Sequence, residues 1–417
     1  MLITKEDEQL HLGNKKIVVV GTGYVGLPAA ILLARAGYKV VGVDINKNVV
    51  QAINSGVLHI GEKELERIFK EEKVRQNLIS QETPCEGDVF VIAVPTPLDK
   101  RKKIADLSYV IDALKSLVPF LRKGNLVIIE STVPPLTCRE LVKPLLEDET
   151  GLKVNDDVYV AHCPERILPG NVFQEIVGND RVIGGMNEKA AELAKNFYSS
   201  FVTGELYITD DVTAEFCKLV ENTYRDVNIA LANEIDQVSE TLGVNSQEVI
   251  DLANKHPRVN LLRPGIGVGG HCIPIDPWFI KQVDPENTSL IFTARAINQS
   301  RPQKISAKIR RMLKDIKDPK IVALGLTYKP NTYDTRESPA MEIIENLRAE
   351  GYHVDAYDPF VEGYEYKDIV EVAKGKDCLI VLVEHDEIKK DLENNLEEIK
   401  SKMKNSMIFR PASNSIM

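Results

Sequence analysis

Short continuous apolar runs alternate with helical periods along the first half of the chain. Lys15-Lys16-Ile17-Val18-Val19-Val20 reads as a strand buried on both faces, since everything after the two lysines is β-branched and apolar. The turn Gly21-Thr22-Gly23-Tyr24-Val25-Gly26 follows at once, then an apolar helix over Leu27–Ala36 that stops at Gly37. Lys39–Asp44 is the second strand, and further strands are predicted at Asp88–Val94, Leu126–Glu130, Val158–Ala161 and Arg181–Gly184. Strands that alternate with helices in this way predict a doubly wound parallel sheet, covered by helices on both faces.

The pattern changes near residue 210. An apolar helical period runs from Asp211 to Leu242 with little turn chemistry, which predicts one long helix, followed by shorter helical segments and a glycine-rich loop. Such a helix is either a dimer interface or a spacer. Near residue 318 the first pattern returns: a strand at Pro319–Leu326, a helix at Ser338–Glu350, and strands at His353–Asp358, Cys378–Val383 and Met407–Phe409. Three domains are expected, a Rossmann domain over 1–208, an all-helical domain over 209–310 and a Rossmann-like domain over 311–417. The last resembles the opening βαβ unit even to the Asp closing its second strand, but lacks the three fingerprint glycines. It is expected to bind only part of a nucleotide.

Composition narrows the function. A formal net charge of -10 supplies no positive field for phosphate backbones, so a general nucleic-acid binder is excluded. No apolar run approaches the roughly 20 residues of a membrane span, and no signal-peptide core opens the chain, so a cytoplasmic protein without membrane association is expected. The six cysteines are scattered, with no C-x-x-C and no Cys/His metal spacing, so reduced thiols and no metal are expected.

The glycine turn after the first strand is G-x-G-x-x-G in register with a strand, a helix and an acid, Asp44, about 20 residues on. Pyrophosphate can lie on the main-chain amides of Gly21, Gly23, Tyr24, Val25 and Gly26 at the helix start, while Asp44 accepts ribose hydroxyls and repels a 2′-phosphate. NAD is therefore the expected cofactor. Thr96 and Thr132 follow strand ends of the same sheet and are either turn caps or ligand contacts. In Cys163-Pro164-Glu165-Arg166, Glu165 is placed as a base or water-orienting group, with Arg166 as its candidate ion-pair partner. Lys218, Asn222 and Arg225 share one helix face, set either toward an anionic ligand or toward solvent. Pro264–Pro277 carries a single thiol, Cys272, on a glycine loop four residues before Asp276. Glycines let such a loop press against a substrate, and the cysteine is then either a nucleophile or a small buried hydrophobe. His256-Pro257-Arg258 precedes this loop; Tyr328-Lys329 and Arg336 follow the first strand of the last domain, where Lys and Arg suit phosphate.

Taken in order, GTGYVG, PTP, STVPP, PER, KLVEN, GVGGHCIPID and YKPNTYDTRES resemble the UDP-glucose/UDP-mannose (nucleotide-sugar 6-) dehydrogenase family over nearly the whole chain. The resemblance implies an NAD-binding N-terminal domain, a helical dimerisation domain and a C-terminal UDP-binding domain, working as a homodimer or dimer of dimers on a UDP-sugar. It implies oxidation of a sugar C6 alcohol to a carboxylate with two NAD in succession. In that chemistry Cys272 forms a thiohemiacetal and then a thioester, Lys218 and Asn222 stabilise the oxyanion, and Asp276 with Glu165 or Thr132 handles water. Lys218 and a water held by Asp276 both remain candidates for the base of the first oxidation. Arg166, Ile167, Lys218, Asn222, Arg225, His256, Arg258, Gly269, Tyr328 and Lys329 are implied around the UDP-sugar, with His256 and Arg258 from a partner subunit, and Arg336 at NAD. Val268 and Ile275 stand where the glucose-type enzymes carry an aromatic residue and a lysine. With His271 they point to an N-acetylated sugar, UDP-N-acetyl-D-mannosamine, with its glucosamine epimer as the alternative and UDP-glucose third.

Overall fold

The computed structural model describes residues 15–167, 170–366, 368–411 and 415–416. The polar extension 1–14 lies outside the described residues. Two compact units are found, Met1–Val220 and Glu221–Met417, and the boundary falls inside one helix, Asp211–Leu242.

In the first unit, among the described residues, eight strands form one sheet: β1 (Lys16–Val20), β2 (Lys39–Val43), β3 (Leu78–Gln81), β4 (Val89–Ile92), β7 (Leu126–Ile129), β8 (Tyr159–His162), β9 (Arg181–Gly185) and β10 (Leu206–Asp210). A small antiparallel hairpin, β5 (Leu98–Asp99) with β6 (Ile104–Ala105), stands apart. The order β10-β9-β8-β7-β4-β1-β2-β3 puts β1 between β2 and β4, so the chain reverses its winding beside the glycine turn. Ile17 and Val19 pack into one helix layer and Val18 and Val20 into the other, which is why this strand is apolar throughout. The helix Gly26–Ala36 is apolar nearly all round for the same reason: it is covered on both sides.

Two details depart from the sequence expectation. β9 runs antiparallel to β8, pairing Ala161 with Gly185 and His162 with Gly184, so the sheet is parallel on either side of one reversed seam. The edge strands β3 and β10 have no continuous apolar run; Leu78-Ile79-Ser80-Gln81 alternates between buried and more open positions, and Leu206–Asp210 is nowhere fully buried. Their periodicity is therefore weak. The helix Asp211–Leu242 has the span read from its apolar period.

The second unit holds a helical part and a smaller sheet. Helices Ser246–Ala253, Asp276–Val283 and Ser289–Leu313 precede β11 (Lys320–Leu324), β12 (His353–Tyr357), β13 (Cys378–Val381) and β14 (Met407–Arg410), with a short antiparallel β15 (Ser415–Ile416) at the end. The order β12-β11-β13-β14-β15 again sets the first strand between its two neighbours.

Buried polar side chains lock the long helices together. Arg295 donates to Asp226 at 2.5 Å, and Asn298 donates to the same carboxylate at 2.8 Å. Arg301 pairs with Asp236, which also accepts from Ser246 Oγ at 2.7 Å. Asn233 and Arg301 then hold Gly265, the first glycine of the cysteine loop, through its N–H at 2.9 Å and its carbonyl at 2.8 Å. Removing one charge from such a pair strands the other. Arg295→Ala is expected to destabilise the second unit by about 3–5 kcal/mol, and an Asp226→Leu/Arg295→Met double variant by clearly less. Urea titration followed by helical circular dichroism measures both; equal losses would show that the charge pairing is not what matters.

Candidate active site

The glycine turn of the first unit is shaped by contact with the next strand end. Gly21 has φ +90, and a Cβ there would lie 2.5 Å from the Ala93 carbonyl oxygen. A Cβ on Gly26 would lie 1.9 Å from the Gly21 carbonyl oxygen, whereas one on Gly23 meets nothing within 4 Å. Two glycines therefore serve the fold and the third leaves open space. Tyr24 leans on the apolar core, and Val25 begins a helix whose first turn has no acidic residue and no side-chain cap. The Leu27 N–H donates to the Gly23 carbonyl at 3.1 Å, and a helix start without a competing acid suits an anion.

Asp44 is fixed at the end of β2. Its Oδ2 accepts the Thr22 N–H at 3.1 Å and Thr22 Oγ1 at 3.0 Å, and its Oδ1 accepts the Asn46 N–H at 2.9 Å. A carboxylate with about four acceptor sites keeps room for a hydroxyl donor here. His59 stands beside the same group: burial lowers its basicity, while the Thr22 main chain and the Asp44 charge oppose the drop. Sequence spacing pointed to neither Thr22 nor His59. Thr96 Oγ1 donates to the Thr132 carbonyl at 2.6 Å, joining the two strand-end loops.

Glu165 is buried, but its ion-pair partner is Arg181, not the adjacent Arg166. The neighbour contributes its main-chain N–H, at 2.7 Å, while its guanidinium reaches the Asp180 carbonyl at 3.1 Å. Adjacent residues leaving a strand end diverge, so the nearest cation in sequence was the wrong partner. Arg181 also faces Glu130 at 3.6 Å, and Tyr198 donates to Glu130 at 2.6 Å. Burial pushes the Glu130 carboxyl up to about 7 against the pull of Arg181. Burial opposes the Arg181 charge too, but Glu165, Tyr198 and Glu130 outweigh it. Ile167 packs on the core beside Phe173. The fold also gathers Cys138, His162 and Glu215, all buried, with ligand-type atoms within 4.8 Å, although no sequence spacing suggested it. Both Glu215 oxygens there accept main-chain amides, of Leu136 at 2.7 Å and Cys138 at 2.8 Å, which ties the 136–138 turn to the long helix.

In the second unit, Cys272 is exposed, which removes the inert buried thiol as a reading. Its carbonyl accepts the N–H groups of Ile275 at 3.0 Å and Asp276 at 2.9 Å. Asp276 opens the helix Asp276–Val283, is almost wholly buried, and accepts Asn222 Nδ2 at 2.6 Å. Lys218, half-buried, lies one helical turn before Asn222, and Arg225, three residues after, is exposed. The loop glycines press on protein: a Cβ on Gly269 would meet the Glu337 carbonyl oxygen at 2.5 Å, and one on Gly270, φ +88, the Tyr328 ring at 2.9 Å. The close approach expected for a substrate is thus used to seat the loop.

Beside the thiol, His271 Nε2 meets Asp334 Oδ2 at 3.1 Å, and Arg336 grips the same carboxylate at 2.9 and 2.8 Å. Burial resists charge on Asp334, yet these bonds bring it down to about 2. Burial, Asp334 and Cys272 together raise the Tyr328 phenol. Lys329 is half-buried beside that ring, while His256 and Arg258 are exposed, linked by the Arg258 N–H to His256 Nδ1 at 3.3 Å.

Three family models cover most of the chain: the NAD binding domain of the UDP-glucose/GDP-mannose dehydrogenase family over residues 15–202, its central domain over 212–300 and its UDP binding domain over 322–414. The chain belongs to this family. It is an NAD-dependent nucleotide-sugar dehydrogenase of three domains, α/β at both ends and helical between. The UDP-N-acetyl-D-mannosamine dehydrogenase of Methanocaldococcus jannaschii is 48% identical over 402 residues, spanning 95% of this chain and 92% of that one. The solved structure of UDP-D-ManNAc dehydrogenase from Pyrococcus horikoshii is 44% identical with a TM-score of 0.89, covering 95% of this chain and 94% of that chain. The UDP-N-acetyl-mannosamine dehydrogenase Cap5O of Staphylococcus aureus is 44% identical with a TM-score of 0.87 over the same shares. Among the described residues no helix is long and apolar enough to cross a membrane.

The glycine geometry of this dehydrogenase separates fold from binding. Gly26→Ala is expected to unfold the turn, whereas Gly23→Ala should fold normally and bind NAD weakly. Asp44→Ala, also folded, should lose about 1.5–3 kcal/mol of NAD affinity, roughly 10- to 150-fold. Calorimetric NAD titration beside thermal unfolding reads both, and unchanged NAD affinity in Asp44→Ala would refute the ribose assignment.

Proposed function

We propose that the enzyme oxidises C6 of UDP-N-acetyl-D-mannosamine to the carboxylate, through a thioester on Cys272. The observation that carries this reading is an exposed thiol set one turn before a buried carboxylate that is itself held by Asn222. The relatives named above as acting on UDP-N-acetyl-mannosamine support the substrate, as do Val268, His271 and Ile275 in the cysteine loop. UDP-N-acetyl-D-glucosamine is the second reading, since C2 epimers differ by little more than one contact.

NAD, when bound, accepts a hydride in each of two rounds; the chain must do the rest. Gly23, Tyr24, Val25 and Gly26 would hold the pyrophosphate on main-chain amides, over the turn shaped by Gly21, whose own N–H donates to the Val43 carbonyl at 2.8 Å. Asp44 would hold the ribose, with Thr96, Thr132 and Arg336 as further contacts. After the first oxidation the Cys272 sulfur adds to the aldehyde carbon, and its proton passes to the resulting alkoxide, giving a thiohemiacetal. Loss of a second hydride and of the hydroxyl proton leaves a thioester. Water then attacks that carbon, and the C–S bond breaks to return the thiol and the carboxylate. Each tetrahedral stage carries negative charge on oxygen, where the Lys218 ammonium and the Asn222 amide stabilise it. Lys218 also favours the thiolate. Asp276, with Glu165 or Thr132, positions and deprotonates the water. Arg166, Ile167, Arg225, Gly269, Tyr328 and Lys329 bind the UDP-sugar, with His256 and Arg258 supplied by a second subunit.

A homodimer, alone or paired into a dimer of dimers, is supported by an exposed apolar face on the long helix Asp211–Leu242. Phe216, Val220, Tyr224, Leu231, Val238 and Leu242 are all exposed and recur at intervals of four and seven, one apolar stripe.

Two NADH are expected per UDP-N-acetyl-D-mannosamine consumed, followed by absorbance; one would leave a simple alcohol dehydrogenase. Cys272→Ala is expected to lower acid formation by at least about 1,000-fold, as loss of a covalent nucleophile does. Cys272→Ser should accumulate a slowly hydrolysed ester. Normal acid output from Cys272→Ala would refute the thioester route, and a faster rate on the glucosamine epimer would overturn the substrate.

A further inference from the structure

The second unit repeats the main-chain hydrogen bonds between strand end and acid that shape the nucleotide-binding turn of the first. Gly21 N–H donates to the Val43 carbonyl at 2.8 Å, and Gly325 N–H to the Tyr357 carbonyl at 2.9 Å. Thr22 N–H donates to Asp44 Oδ2 at 3.1 Å, and Leu326 N–H to Asp358 Oδ2 at 2.6 Å. Asn46 N–H and Phe360 N–H, each two residues beyond its acid, take the Oδ1 atoms at 2.9 and 2.8 Å. Gly21 and Gly325 both have positive φ, and a Cβ on either would strike the carbonyl oxygen of the neighbouring strand-end loop, Ala93 at 2.5 Å or Val383 at 2.0 Å.

The difference lies at the acid. Asp44 is half open, whereas Asp358 has no exposure, because the fully buried His385 covers it with Nε2 at 3.0 Å from Asp358 Oδ2. The position that takes a ribose in one half is closed by an imidazole in the other.

That imidazole reaches further. Asn331 N–H donates to His385 Nδ1 at 2.8 Å, and a main-chain N–H can only donate, so Nδ1 is the acceptor and Nε2 carries the proton. Nε2–H then points between Asp358 and Thr327 Oγ1, the latter at 3.2 Å, while the Thr327 hydroxyl donates to the Lys329 carbonyl at 2.8 Å. Asn331 sits at φ +57, held by exchange of side-chain and main-chain bonds with Asp386 at 2.8 and 3.0 Å. Besides its strand end and the Tyr328 N–H, which donates to the Asp334 carbonyl at 3.1 Å, the 326–331 turn is fixed at Thr327 and Asn331 through His385 and the residue after it. This turn leaves β11 where β12 and β13 diverge, the place where ligands lie on open α/β sheets. It carries Tyr328 and Lys329, an aromatic ring and a cation suited to a uracil base and a diphosphate.

We propose that Asp358 and His385 form a positioning dyad: the buried acid fixes the imidazole, and the imidazole shapes the 326–331 turn for the UDP portion of the substrate. The inference rests on UDP binding by the C-terminal domain. Both residues are fully buried, so both act on affinity through the population of the binding-ready turn.

Calorimetric titration of the full-length enzyme with UDP, and separately with NAD, tests the dyad in two variants. In His385→Gln the side-chain amide keeps a donor near Nε2 but loses the acceptor for Asn331 N–H; in His385→Asn the amide oxygen replaces Nδ1 as that acceptor. UDP affinity is expected to fall about tenfold in the Gln variant and distinctly less in the Asn variant, with NAD affinity unchanged in both. Wild-type UDP affinity in the Gln variant would overturn the dyad. So would a parallel loss of UDP binding, NAD binding and melting temperature in both variants, which is the mark of general destabilisation. A wild-type enzyme that binds NAD but not UDP would overturn the UDP reading itself, and the dyad with it.

Discussion

A carbonyl oxygen pressed against a glycine sets the architecture of both halves of this enzyme. Where a central strand ends, the chain must turn between two neighbouring strand-end loops, and one of those loops places its carbonyl where a side chain would begin, at 2.5 Å for Gly21 and 2.0 Å for Gly325. Only glycine fits, and only with positive φ. The turn that results aims main-chain amides outward from the end of the sheet and brings the acid of the next strand under them. The placement of Asp44 and of Asp358 beside those turns descends from that close packing.

The same economy of backbone appears around Cys272. The glycines that suggested a loop pressed against substrate are pressed against Tyr328, Glu337 and Pro339 instead. Their work is to let the thiol-bearing loop lie flat on the turn that carries Tyr328. With Gly265 held by Asn233 and Arg301, and Asp276 held by Asn222, the loop is fixed at both ends by buried polar groups. An exposed sulfur on a fixed loop is what covalent chemistry requires, because a mobile nucleophile would lose the advantage of orientation.

Legibility followed burial pattern. Strands covered on both faces, such as Ile17–Val20 and Val89–Ile92, announce themselves by unbroken apolar runs, and the helix Asp211–Leu242 by its period. Edge strands such as Leu206–Asp210, half wet and short, leave no comparable mark. Ion pairing was the least legible feature. Arg166 was the obvious neighbour for Glu165, yet Arg181, on another strand, fills that place and brings Glu130 and Tyr198 with it.

Local geometry explains what could be read in advance. A glycine turn in register with a strand and an acid, a thiol four residues before a carboxylate, and three polar groups on one helix face are statements about a few consecutive turns of chain, and covalent geometry carries them into space unaided. The ordered motifs sufficed for the family and its NAD. Tertiary structure alone decided which charges meet, which side chains the glycines accommodate, and that His385 seals the acid of the second half while Asp44 stays open. Those outcomes depend on desolvation and on distances between segments far apart in sequence, quantities that no local pattern of residues encodes.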